Sequence, residues 1–206
     1  MLIRMTVISG GLRMPSSTRL LGDRLEAEVQ NQLARLGHQA ESTFVELRPL
    51  GHAIMDAMFT GSPPSPLEEA VEQVADADAV IAVTPAFNVS FSGLFKSFFD
   101  VLPEETLSDM PVLIAATGGT ERHSLVLEHA LRPMFSYLHA IVSPRGVYAA
   151  TDDFGSAGAT GEDRLATRIT GAASDFARLI QACGPHQRRD AFNEELRSME
   201  QLLGGQ

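Results

Sequence analysis

The chain has 206 residues, 44% apolar and 20% charged, with a formal net charge of −10. That length suits one domain with a full hydrophobic core, and the acidity opposes a nucleic-acid or anionic-membrane partner, whose phosphates it would repel. The single cysteine, Cys183, excludes a disulfide framework and a thiolate metal site and points to a reducing cytoplasm.

Residues 2–8 form a strand-like apolar run, too short and too strand-like for a signal peptide. Residues 18–36 then place Leu21, Leu25, Val29, Leu33 and Leu36 on one helical stripe, with Gly37 as C-terminal cap. Residues 40–46 predict a second strand, and residues 48–66 a long surface connection ending in Ser62-Pro63-Pro64-Ser65-Pro66. A helix over 67–75 follows Pro66, which suits a first turn. Runs at 79–83, 111–116 and 141–148 read as further strands, and most of the strand-like runs are near-continuously apolar, the mark of strands covered on both faces. Helices are expected at 92–102, 124–140 and 162–182. Strands alternating with helices predict an α/β, flavodoxin-like, doubly wound five-stranded parallel sheet of order 2-1-3-4-5, with right-handed crossovers. Residues 1–183 form this domain, and 184–206 a partly helical tail carrying Phe192, Leu196, Met199 and Leu203 at helical spacing. Residues 151–161 read as a mobile loop. No run approaches the roughly 20 apolar residues needed to span a membrane.

Open parallel sheets bind ligands at the carboxyl ends of their strands, beside helix N-termini. Three such ends carry ligand-type residues. The first loop offers hydroxyls at Ser9, Ser16, Ser17 and Thr18 and a charge at Arg13, the parts of a phosphate cradle. It lacks Gly-x-Gly-x-x-Gly and Gly-Lys-Ser/Thr, so a monophosphate fits better than a dinucleotide or a P-loop triphosphate. The second runs from Thr84-Pro85 to Lys96, and the third is Thr117-Gly118-Gly119-Thr120.

Three blocks together resemble the NADPH-dependent FMN reductase family: Arg13-x-x-Ser16-x-Thr18-x-x-Leu21; Thr84-Pro85-x-Phe87-Asn88-x-Ser90-x-Ser92-Gly93-x-x-Lys96; and Ala116-Thr117-Gly118-Gly119. The likeness runs in order over residues 1–150 and is nearest to the two-component flavin reductases that supply reduced FMN to flavin-dependent monooxygenases. It implies the FMN phosphate at Ser9, Arg13, Ser16, Ser17 and Thr18. It implies the ribityl chain and flavin along Pro85, Ala86, Phe87 and Asn88, and the ring against Thr117, Gly118 and Gly119, where missing side chains let backbone approach. It also implies NADPH or NADH as co-substrate and a homodimer or homotetramer. Two departures stand out: Gly11 occupies a position where many members carry serine, and Phe87 one where tyrosine is frequent. In the alkanesulfonate-type relatives a tyrosine within a π-helical insertion at the tetramer interface corresponds to His129.

The remaining residues read as structural. Lys96 and Asp100, four apart on one helix, form an ion pair; Asn88-Val89-Ser90 is a coincidental glycosylation sequon; Met55 and Met58 fill core or interface. The histidines show no metal-ligand spacing, and no nucleophile–His arrangement is present. A flavin carrying the chemistry needs none, because the protein has only to bind and orient the rings. A quinone, azo or metal-ion reductase with bound FMN, or a flavodoxin-type electron carrier, are the alternatives. Flavodoxins commonly sandwich the flavin between Trp and Tyr; this chain has no Trp, and Tyr137 and Tyr148 lie outside the three loops. That favours an enzyme with an open flavin face.

Overall fold

The computed structural model describes residues 1–155 and 164–186. Its centre is a parallel sheet formed by β1 (Leu2–Ser9), β2 (Gln39–Glu46), β3 (Ala79–Phe87) and β5 (Pro111–Gly118), in the order β2-β1-β3-β5. Two short strands, β6 (Ile141–Val142) and β7 (Val147–Ala150), continue it beyond β5. With β6 and β7 taken as one broken strand, and the two-residue β4 (Ser90–Phe91) as a hairpin arm on β3, this is the flavodoxin-like 2-1-3-4-5 order.

Strand side chains alternate between two separate cores, as the two-residue period requires. Ile3, Met5, Val7, Ala79, Ile81, Val83, Leu113 and Ala115 face α1 (Ser17–Arg35) and α6 (Arg164–Cys183), where Leu21, Leu25, Val29, Leu33 and Phe176 are fully buried. Ile8, Val80, Ala82, Val112 and Ile114 face the opposite layer: α2 (Leu47–Thr60), α3 (Ser65–Ala75), α4 (Gly93–Asp100) and α5 (Arg132–Tyr137). There Phe95, Phe99 and Phe135 form an aromatic cluster with ring centroids 4.8 and 5.0 Å apart.

The stripe predicted for α1 holds as far as Leu33; Leu36, at the cap, is exposed. Gly37 adopts φ +82°, and the His38 and Gly37 N–H groups bond the Leu33 and Ala34 carbonyls at 2.9 and 3.0 Å, a Schellman ending. The predicted ion pair between Lys96 and Asp100 is present on α4.

Several expectations need correction. Residues 48–66 are not a draped connection, because α2 begins directly after β2. Leu47, Leu50, Ile54 and Ala57 recur at helical spacing against the core, despite Pro49 and Gly51 in its first turns. Met55 and Met58 stand on its outer face, 41% and 46% exposed, and so are not core. The single helix expected over 124–140 is instead a π-helix (Leu127–Leu131) running into α5, with a 3-10 turn (Glu121–His123) ahead of it. The last predicted strand breaks at Ser143-Pro144, where proline cannot donate to the ladder. The Arg132 guanidinium, paired with Glu128, donates to the freed carbonyls of Ser143 and Pro144 at 3.0 and 3.1 Å. Of the expected loop over 151–161, residues Thr151–Phe154 are a 3-10 turn; the later loop residues and the tail beyond 186 lie outside the described residues. No described helix is long and apolar enough to cross a membrane.

Candidate functional site

The carboxyl ends of β1, β3, β5 and β7 converge on one cleft of about 700 Å³, within the range of small-molecule sites. Ten residues singled out in the sequence line it: Arg13, Ser16, Ser17, Thr18, Pro85, Ala86, Phe87, Thr117, Gly118 and Gly119. Two do not. Ser9 is the last residue of β1 and is 3% exposed, and Asn88 sits in the turn of the β3–β4 hairpin.

The first loop leads into α1. Ser16 caps the helix, its Oγ accepting the Arg19 N–H at 3.1 Å, which leaves the Ser16 hydroxyl proton free to donate outward. No acidic residue stands in the first helical turn, so the positive end of a 19-residue helix and the exposed Arg13 guanidinium face the cleft unopposed. A Cβ on Gly11 would lie 2.2 Å from Ser16 Oγ. A side chain at residue 11 would therefore displace the cap seen here. Beneath this loop a Cβ on Gly10 would meet the Phe95 ring at 3.1 Å, so the first loop rests directly on α4.

The second loop is a two-residue hairpin rather than a plain handover from strand to helix. Phe87 pairs with Ser90 across a turn in which Asn88 and Val89 have φ +47° and +68°, the left-handed pair that such hairpins require. Asparagine tolerates that conformation, which gives Asn88 a backbone reason for its place. The Ser92 N–H bonds the buried Thr84 hydroxyl at 3.1 Å, and Ser92 Oγ caps α4 by accepting the Phe95 N–H at 3.2 Å. These bonds hold Pro85, Ala86 and Phe87 in extended form along the cleft.

The third loop is tied to the first, with Thr18 Oγ1 2.9 Å from Thr117 Oγ1. Its two glycines differ. A Cβ on Gly119 would meet nothing within 4 Å, whereas one on Gly118 would lie 2.0 Å from the Tyr148 hydroxyl. The steric demand at Gly118 thus comes from the protein's own tyrosine. Although Tyr148 lies outside the three loops in sequence, the sheet brings it beneath the third.

Sequence reasoning also missed a fourth wall. Thr151 and Phe154, from the turn after β7, line the cleft with Leu12, Pro15 and Leu20. The Arg24 guanidinium stands 5.6 Å from the Phe154 ring centroid, and Asp153 accepts the Ala150 N–H at 2.8 Å while pairing with Arg168 at 2.7 Å. His129 lies exposed within the π-helix. Among the described residues no group of three or more His, Cys, Asp or Glu could hold a metal ion.

A curated relative from Pseudomonas fluorescens, the NADH-dependent FMN reductase SfnF, is 38% identical over 178 residues, covering 86% of this chain and 92% of the relative. An FMN reductase (NADPH) from Pseudomonas aeruginosa is 37% identical over 177 residues, with the same coverage. An oxidoreductase of known structure from Corynebacterium diphtheriae superposes with a TM-score of 0.82 at 41% identity, covering 88% of this chain and 98% of that one. The model of the family described as NADPH-dependent FMN reductase matches residues 3–155, a span that includes all four strand ends around the cleft, and the chain belongs to that family.

Proposed function

We propose that this chain is an NAD(P)H-dependent FMN reductase acting in the four-walled cleft. The observation that carries the reading is the convergence of a free arginine, an acid-free helix N-terminus and two glycines on one cleft of flavin-sized volume. When bound, FMN supplies the ring that accepts hydride from the nicotinamide. The protein's part is to hold and orient. Arg13, the Ser16, Ser17 and Thr18 hydroxyls and the N-terminal amides of α1 are suited to a phosphate. Pro85, Ala86 and Phe87 offer a flat, largely apolar surface to a ribityl chain and ring edge. Thr117, Gly118 and Gly119 bring backbone close to the ring. Leu12, Leu20 and Phe154 exclude water from the opposite side.

Both coenzymes are retained, since two relatives of nearly equal identity carry NADH in one name and NADPH in the other. No Trp or Tyr side chain lines the cleft, which supports an open flavin face and release of reduced flavin to a partner flavin-dependent monooxygenase. Exposed Phe59 and Tyr137, each 83% accessible, with Met55 and Met58, support burial in a homodimer or homotetramer. The one cysteine supports a cytoplasmic setting.

The test is an absorbance titration of the purified protein with FMN, followed by NADH and NADPH oxidation under excess FMN. Oxidation that rises with free FMN supports the reading. Binding without turnover would instead mark an electron carrier, and turnover only with a quinone, azo or metal acceptor would mark the other reductase class. Sedimentation reads the assembly.

A further inference from the structure

The third loop is held by a residue from another strand. Tyr148 pairs in register with Ala116 of β5, and its side chain, 7% exposed, reaches past Gly118. There its hydroxyl donates to the Thr120 carbonyl at 2.7 Å. The place a Cβ on residue 118 would occupy lies 2.0 Å from that hydroxyl and 3.1 Å from the ring carbon bearing it. The glycine and the phenol therefore fit only as a pair. Burial, with the nearby Asp153 carboxylate, pushes the phenol above its ordinary value, so the hydroxyl stays protonated and serves as a donor. Asp153 in turn bonds the Ala150 N–H and Arg168, fixing the Thr151–Phe154 turn on the adjoining wall.

We propose that Tyr148 is a positioning residue for the flavin ring: by holding the Thr120 carbonyl just beyond the cleft, its hydroxyl sets where the Gly118–Gly119 backbone stands in the cleft. The inference rests on the reading that this cleft binds FMN with the third loop against the ring. It requires no proton transfer by Tyr148. A tyrosine serving only to fill the core would contribute its ring to stability and leave the flavin indifferent to its oxygen.

Tyr148→Phe keeps the ring and removes the donor. Loss of one hydrogen bond's worth of positioning should weaken FMN about 2- to 10-fold. The absorption maximum of the bound flavin should shift, and riboflavin should weaken by the same factor, because the contact is to the ring and not the phosphate. Gly118→Ala should weaken both ligands more, and adding Tyr148→Phe to it should recover part of that loss by removing the atom the new methyl meets. Wild-type affinity and an unshifted spectrum in Tyr148→Phe would overturn the proposal whatever happens to its melting temperature, and so would simply additive losses in the double variant. Should Gly118→Ala fail to fold, the single Tyr148→Phe titration decides. Failure of the underlying functional reading looks different: the unmutated protein would then bind neither FMN nor riboflavin.

Discussion

Thr18 Oγ1 and Thr117 Oγ1 lie 2.9 Å apart, 99 residues distant in sequence, each residue 3% exposed. This contact joins the first turn of α1 to the end of β5 and sets the spacing of two cleft walls. Leaving one buried hydroxyl unpaired costs about 1–3 kcal/mol, whereas removing both partners is milder. Thr117→Val should therefore destabilise the protein by about that amount, and Thr18→Val/Thr117→Val by less than the sum of the singles. Urea unfolding of the three variants measures the coupling, and strictly additive losses would show that the pair is not a bonded unit.

Arg13 lines the cleft with an exposed guanidinium. A charge-assisted hydrogen bond contributes about 1.5–3 kcal/mol, so Arg13→Ala should weaken FMN roughly 10- to 100-fold. Riboflavin, without the phosphate, should scarcely respond. Equal losses for both ligands would move the phosphate away from the first loop.

Gly119 separates folding from binding. A Cβ there would meet nothing within 4 Å, so Gly119→Val should change stability by no more than about 0.5 kcal/mol. The same side chain stands where the cleft is lined, and flavin affinity should fall steeply. A folded variant that binds FMN as the unmutated protein does would remove the third loop from the site.

A pH dependence should arise at the opposite end of the sheet. The His186 backbone N–H donates to Asp78 at 3.2 Å, while the other Asp78 oxygen accepts the Arg4 backbone N–H at 2.8 Å. Burial lowers the His186 imidazole below its ordinary value, against the opposing pull of Asp78 and Asp109. A folded state that prefers the neutral ring binds its proton later than the unfolded chain does. Its stability is therefore complete above the ordinary histidine value of about 6.5 and declines as pH falls through it. Thermal melts between pH 7.5 and 5.5 should show a shallower decline for His186→Gln, and identical slopes would mean the ring is not held neutral.

Much of the architecture was legible because the signals are local. Near-continuous apolar runs marked β1, β3 and β5, the leucine stripe and Gly37 marked α1, and Pro66 marked the start of α3. Ten of the twelve residues named in the three loops do line one cleft, since a parallel sheet sends its strand ends to one edge. Helix α2 escaped notice because Pro49, Gly51 and the exposed Met55, Met58 and Phe59 obscure a four-residue apolar stripe. Its helicity comes from packing against the core rather than from propensity. The turn carrying Phe154 and the fit of Tyr148 beneath Gly118 have no local signature at all. They follow from register: Tyr148 stands opposite Ala116 only once β7 has docked on β5. Composition and periodicity determined which faces are buried and where ligand-type loops emerge. Only the assembled sheet decided which distant side chain fills the space under each loop, because that space exists only after the strands have paired.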